Sequence, residues 1–417
     1  MNGSAGGLDH GSLLPETRYD MEPPAEKPRP PRRRRLPRNV KLLGWASCLN
    51  DISSEMIFPL LPQFLITVLG GNRLQLGAIE GVADSASSLL KLWSGAWSDR
   101  VAKRKGFVVL GYALAAVSRP LIGLVTAPWQ LLLARSADRV GKGVRTSPRD
   151  ALIADSTETD FRGRAFGFHR AMDHLGAAIG PILAAGFLWV WPGELRTLFA
   201  LTLIPGLFVV GLLLFGLKEV ISPEAPSDHL HLTLKPFGRD FRRYLLALVI
   251  FTLGNSSDAF LLVRASELGV RTVALPLLWF AFHIVKSLGN LVVGRAVDRV
   301  GPRLPLLAGW FVYAGVYLAF ALATTAWHAW AFFLAYALFY ALTEPSEKTL
   351  VANLVGSERK GLAFGWYNFA IGIAALPASL IFGALYDKLG PLVAFGWGSA
   401  LALVAVTLLI GIRPAAE

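Results

Sequence analysis

Two pairs of carboxylates stand in stretches that are otherwise apolar. Asp51 and Glu55 form one pair, Glu80 and Asp84 the other, each four residues apart. On a helix that spacing puts both members of a pair on one face. The chemistry such a pair offers is proton binding, because burial and a neighbouring like charge both favour the protonated acid, and an acid titrating near neutral pH can carry a proton. Asp51 and Glu55 rank first for that role, Asp84 next and then Glu80, with Asp258 as the candidate further along the chain. Spacing alone does not choose among them, and each acid has the alternative of pairing with a basic group on a neighbouring helix.

Basic groups of the right spacing exist. Arg135, Asp138, Arg139, Lys142, Arg145 and Arg149 recur every three or four residues, a polar stripe that cannot face lipid. Arg135 is expected to meet the acids of the first segment or an anionic group of a solute, with Arg139 behind it on the same path. Arg145 and Arg149 are expected to bridge to Asp150 and Asp155. Arg170, Asp173 and His174 follow, then Asn255 with Asp258 and Arg264, then His283, Lys286 and Asn290, then Glu344, Glu347 and Lys348. Trp279, Tyr340, Trp366, Tyr367 and Asn368 add aromatic and amide surface of the kind an organic solute uses, or simply pack between helices.

Other chemistries lack their residues. Gly141-Lys142-Gly143 has neither the spacing nor the preceding strand of a phosphate-binding loop. There is no HExxH pair, no nucleophile elbow, and a single cysteine, Cys48. The sequence therefore proposes no catalytic group, no cofactor, no metal and no use of nucleotide.

The elements that must position these groups are membrane-spanning helices. Of 417 residues, 53% are hydrophobic and 17% charged, with mean hydropathy +0.48, which is too apolar for an ordinary soluble domain. A span needs roughly 20 apolar residues, which leaves room for about twelve. They are expected at 42–69, 76–97, 106–126, 129–152, 166–190, 196–217, 243–266, 274–296, 304–325, 329–350, 364–386 and 391–412. Pro345 and Pro377 are expected to bend or locally unwind theirs, most usefully as rocking joints. Residues 1–41, with five prolines from Pro23 to Pro31 and the run Arg32–Arg35, have the composition of a disordered basic tail. Residues 218–242 read as a polar linker and 413–417 as a second short tail.

Charge sets the expected orientation. If the tail is cytoplasmic, that side also receives Lys103–Lys105, Arg162 and Arg164, Lys218 to Arg243, Arg303, Arg359 and Lys360, while the other side has only a scatter such as Arg73, Arg196, Arg271 and Lys388. Both termini are then cytoplasmic under the positive-inside rule. The net charge of +12 is accounted for by topology, with the bilayer as partner and no nucleic acid.

The chain also repeats itself. Gly95, Asp99 and Arg100 recur as Gly294, Asp298 and Arg299, roughly 200 residues on. Ala165, Phe166 and Gly167 recur as Ala363, Phe364 and Gly365, and Ser53, Ser54 and Glu55 resemble Ser256, Ser257 and Asp258. A constant displacement across a polar linker argues for two six-helix halves, 42–217 and 243–412.

In these motifs the sequence resembles the major facilitator superfamily, whose signature after the second span is Gly, three residues, Asp-Arg, one residue, Gly and a basic cluster. Ala102 stands at the family glycine, while the second copy keeps Gly301. The resemblance implies an all-α fold of twelve helices in two halves, and a cytoplasmic gate at Gly95, Asp99 and Arg100 with its counterpart Gly294, Asp298 and Arg299. Arg135, Gly143 and Pro148 resemble the arginine-glycine motif of the fourth span. Gly176, Gly180, Pro181 and Gly186 resemble the antiporter motif of the fifth, without its adjacent glycine pair because Ala185 precedes Gly186. The expectation is a secondary active transporter, functional as a monomer in the bacterial inner membrane, that moves a small organic solute by proton-coupled export. The alternatives are proton-linked uptake by symport, or a membrane receptor or enzyme.

Overall fold

The computed structural model describes residues 35–101, 103–158, 162–220, 234–235, 237–355 and 360–412. The chain divides into Met1–Leu36, of which only Arg35 and Leu36 are described, and a unit spanning Pro37–Glu417. Most of the basic tail and of the linker thus lies outside the described residues, and Arg38–Lys41, expected in the tail, open the first helix instead.

The second unit is built of helices. In chain order they are α1 (Arg38–Ile57), α2 (Arg73–Val101), α3 (Lys105–Ile122), α4 (Pro128–Asp155), α5 (Arg162–Val190), α6 (Leu195–Leu201), α7 (Leu203–Gly216), α8 (Arg239–Gly254), α9 (Ala259–Glu267), α10 (Leu275–Val300), α11 (Arg303–Leu322), α12 (Ala326–Asn353) and α13 (Lys360–Ile410). A short run of 3-10, α and π turns from Phe58 to Val68 prolongs α1. α13 is broken at Gly390, where φ is +83°, a conformation open to glycine and costly for other residues. The same requirement explains Gly301, at φ +78° beyond α10; its counterpart Ala102 is outside the described residues.

Eight described segments are long and apolar enough to cross a membrane, and one of them, Ala363–Ile410, runs for 48 residues and has room for two crossings on either side of Gly390. The remaining long helices, α1, α2 and α4, fail that measure because they carry the charges. With α6–α7 and α8–α9 each making one crossing, the rods fit the twelve-helix arrangement.

α1 packs on α5, α3 on α4 and α7, and α2 on α4 within the first half. α13 packs on α8 and α11, and α12 on α10 and α11, within the second. The halves meet along α2 with α13 and α5 with α10. Small residues permit the first of these contacts. A Cβ on Gly77 would collide with the Ser379 carbonyl, one on Gly81 would lie 3.0 Å from Leu376 Cα, and one on Gly372 would lie 2.7 Å from Ser88 Cβ.

The two prolines expected to bend or unwind their spans do not interrupt them, although Pro59 and Pro62 stand in the irregular end of the first crossing and Pro391 follows Gly390. α12 and α13 run through Pro345 and Pro377 without a non-helical residue, whereas the seventh crossing breaks between Gly254 and Ala259, with Asn255 at φ −92°, ψ 92°. The freed backbone group finds a partner: Tyr313 donates to the Gly254 carbonyl at 2.9 Å, while the Ser256 and Tyr317 hydroxyls are 3.2 Å apart. An interior helix break is tolerated on such terms.

Candidate functional site

A polar cavity lies between the halves. Its central part, 390 Å³, is lined from the first half by Glu55, Glu80, Asp84, Lys91, Arg139 and Lys142, and from the second by Asn255, Asp258, Trp279, His283, Lys286 and Tyr340. A wider part of 760 Å³ shares Lys91, Asn255, Lys286 and Tyr340 and continues past Arg170, His174, Asn290, Glu344, Glu347, Tyr367 and Asn368. Those residues occupy the start of α5, the later part of α12 and the start of α13, so the cavity widens toward the end of the bundle at which α1 begins and α13 finishes.

The opposite end is closed by a cross-half cluster. Arg73 pairs with Glu267 and lies 3.5 Å from Asp387. The Asp387 carboxylate accepts the backbone N–H groups of Arg73 at 3.1 Å and Leu74 at 2.7 Å, Tyr386 donates to Glu267 at 2.6 Å, and Ser266 donates to Gln63 at 2.8 Å.

Each acid of the cavity has a hydrogen-bond donor or a facing cation. Glu55 accepts the Trp279 indole N–H at 2.6 Å from the other half and the Ser54 hydroxyl at 3.2 Å. Asp258 accepts the Tyr336 hydroxyl at 2.7 Å and that of Tyr340 at 3.0 Å. Asp84 faces Arg139 at 3.8 Å, and Glu344 pairs with Lys286 at 2.6 Å while accepting from Asn290 at 2.8 Å. Tyr367 donates to Glu347.

Two of the expected groups are placed otherwise. Arg135 does not line the cavity. It is 4% exposed, with two of its three guanidinium nitrogens on Glu80 at 2.9 and 3.0 Å and the third on Asp138 at 3.3 Å. Arg119 continues the chain, donating to Asp138 at 2.8 Å and to the Asn50 carbonyl at 2.7 Å. Asn50 in turn donates to Asp51 at 2.9 Å. Arg135 therefore reaches an acid of the second crossing rather than the first, and Asp51 lies at the far end of this buried network instead of on the cavity wall. Arg145 stacks over the Tyr112 ring at 4.5 Å, Arg149 meets Asp150 at 2.9 Å as expected, and Asp155 is taken by Arg104 at 2.7 Å. Asp173 sits between His169 at 3.5 Å and Arg170 at 3.6 Å, and Asn368 donates to the Phe364 carbonyl.

The glycines of the fifth crossing hold α5 against α1. A Cβ at Gly176 would strike the Cys48 carbonyl and one at Gly180 would stand 2.7 Å from that of Ile52. Pro181 is buried, and Gly186 is exposed with open space beside it. Of the gate residues, the side chains of Gly95, Asp99, Arg100 and Asp298 lie outside the described set, Gly294 has free space, and Arg299 is exposed. Arg119, Asn50 and Tyr336 had escaped sequence reasoning. A lone arginine inside an apolar run was the available signal for the first; nothing distinguished Tyr336 from the aromatic residues packed around it.

A bundle of apolar helices with a charged cavity between two halves, closed at one end, is the frame of a polytopic solute transporter. The sequence profile of the Major Facilitator Superfamily matches residues 43–377, and the chain belongs to that family: it is a multi-pass membrane transporter. An uncharacterized MFS-type transporter of Methanocaldococcus jannaschii is 34% identical over 383 residues, covering 90% of this chain and 95% of the relative. A multidrug resistance protein, MdtH, of Photorhabdus laumondii is 32% identical over 133 residues, 32% of this chain and 33% of that one. Among solved structures, a bacterial homolog of the human lysosomal transporter Spinster, inward-facing and occupied, superposes with TM-score 0.68 at 16% identity, covering 89% of this chain and 94% of that one.

Proposed function

We propose that the protein is a secondary active transporter that moves a small organic solute by alternating access and couples it to protons, with Glu55 as the coupling carboxylate. The observation that carries this is the Glu55–Trp279 hydrogen bond of 2.6 Å inside the cavity, because it joins the two halves. Rocking one half against the other breaks that bond, so the carboxylate has different partners in the two states. Any group whose surroundings change with conformation binds protons differently in each, and that difference is the linkage coupling requires. Asp258 is the second candidate, held by two tyrosine hydroxyls of its own half. Asp51 ranks lower because it is off the cavity wall.

Both termini are proposed to be cytoplasmic, in a bacterial inner membrane, with the cavity open to that side and the monomer as the working unit. Export is supported by the partial likeness to a multidrug resistance protein.

Glu55→Gln keeps size and an acceptor for Trp279 but cannot titrate. In proteoliposomes it is expected to lose gradient-driven solute accumulation and the pH dependence of flux while retaining solute exchange at equal concentrations. Wild-type gradient-driven accumulation by the variant would remove Glu55 from the coupling role.

A further inference from the structure

The cavity is asymmetric in how its charges are satisfied. Every acid lining its centre has a hydrogen-bond donor or a facing cation, as described above. Lys91 and Lys142 line the same space, yet among the described residues no carboxylate lies within ion-pair reach of either, and neither amine donates a hydrogen bond. Acids act on them only from beyond ion-pair reach, Asp84 and Asp150 on Lys91 and Asp51 on Lys142. Arg139 shares their wall, and its Nε is buried without an acceptor.

The backbone holds these three cations together. α2 and α4 approach closely at Gly143, where a Cβ would lie 2.7 Å from that of Leu90 and 2.9 Å from the Ser87 carbonyl. Ser147 donates to the Lys91 carbonyl at 2.7 Å, and Ser94 to that of Gly143 at 2.9 Å. Lys91, Arg139 and Lys142 are thereby fixed within electrostatic reach of one another, although like charges in a partly desolvated space repel. Asp84, 3.8 Å from Arg139, offsets part of that repulsion but pairs with neither lysine; a negatively charged solute would offset the rest.

The opposite wall has a different character. Trp279 stacks on Phe282 at 5.1 Å and packs on Phe58 at 4.9 Å, and beside this aromatic surface the Asn255 Oδ1 and His283 Nε2 atoms are buried without partners. Trp279 is 5% and Phe282 1% exposed, so these rings close the wall rather than offer an open face, and it is the anionic end of a solute that the basic side fits. The central volume of 390 Å³ suits a small molecule rather than a polymer.

We propose that the transported solute is a small organic anion whose carboxylate or phosphate is bound by Lys91, Arg139 and Lys142. This rests on the transporter reading and names the solute class of the same cavity. It also accounts for keeping two unpaired lysines inside a bundle where each is a liability to folding.

The test is thermal stabilisation of the purified full-length protein in detergent by four matched aryl probes: 3-phenylpropionate, phenyl phosphate, phenethylammonium and phenethyl alcohol. The two anions are expected to raise Tm, and the cation and the neutral alcohol are not; the stronger anion identifies carboxylate or phosphate as the group preferred. Lys91→Gln and Lys142→Gln are each expected to weaken the effective anion by about tenfold or more, the loss of one charge-assisted contact. The same variants without ligand should melt at or above the parent temperature, since a repulsive charge is gone, and Lys91→Arg should restore most of the anion effect. Stabilisation by the cation or the alcohol alone, no stabilisation by either anion, or an anion effect unchanged in both glutamine variants would overturn the proposal. Anion binding without any flux in proteoliposomes would instead defeat the transporter reading and leave the anion site standing.

Discussion

Glu80 and Asp84 stand one helical turn apart, yet they do different work. Glu80 is 1% exposed and spends both oxygens on Arg135, whereas Asp84 is half exposed at its side chain and 3.8 Å from Arg139. Removing one member of a buried ion pair strands the other charge, at a cost of about 3–5 kcal/mol. Glu80→Gln is therefore expected to lower the thermal midpoint in detergent sharply, and Asp84→Asn to change it little. Equal, small shifts for both would mean that the Glu80–Arg135–Asp138–Arg119 chain does not hold the first half together. Spacing could pair Glu80 with Asp84 on one face, but it could not tell which of the two cavity-lining acids is spent on a buried ion pair and which stays open. That distinction depends on Arg135, which lies two crossings later.

The crossings themselves were legible because burial in lipid imposes a length and an apolar composition on each of them. Each expected span overlaps an observed helix or helix pair, and the break between the last two falls at Gly390, within the gap left for it. What the sequence concealed was the interruption of the seventh crossing. Pro345 and Pro377 carry the usual signal for a broken helix and are accommodated within α12 and α13, while the seventh crossing opens at Asn255–Asp258, where no proline stands and tyrosines from α11 take over the hydrogen bonding. The glycines of α5 show the same limit, since a motif does not reveal which of its members face a neighbour. Gly176→Ala should force α1 and α5 apart and destabilise the protein by about 1–3 kcal/mol. Gly186→Ala, with open space around it, should stay within about 0.5 kcal/mol of the parent or gain slightly from helix propensity. Thermal midpoints of the two variants decide the point, and a Gly176→Ala protein as stable as the parent would contradict the close α1–α5 approach.

For the molecule as a whole, the closed end gathers several polar contacts between the two halves, beyond the Glu55–Trp279 and Ser85–Gly372 bonds. The first N–H groups of a helix have no partner within it, and those of α2 at Arg73 and Leu74 are taken up by Asp387 from the other half. Arg73 then adds Glu267 and Asp387 as ion-pair partners. Opening this end must give up the cap and the pairs together, so their strength sets the balance between the two access states. Losing a side-chain helix cap typically costs about 1 kcal/mol, which by itself changes a two-state ratio about fivefold. Asp387→Ala is expected to raise the population open at this end by about that factor or more. Spin labels at Val68 and Leu389, both exposed and one on each half, with Cys48 replaced by alanine, would report it as a larger long-distance component in the distance distribution. Arg73→Met should move the distribution the same way, because it removes the pairs while leaving the backbone cap. A distribution unchanged by both substitutions would mean that the α2–α13 packing around Gly77 and Gly81, and not the polar cluster, keeps this end shut.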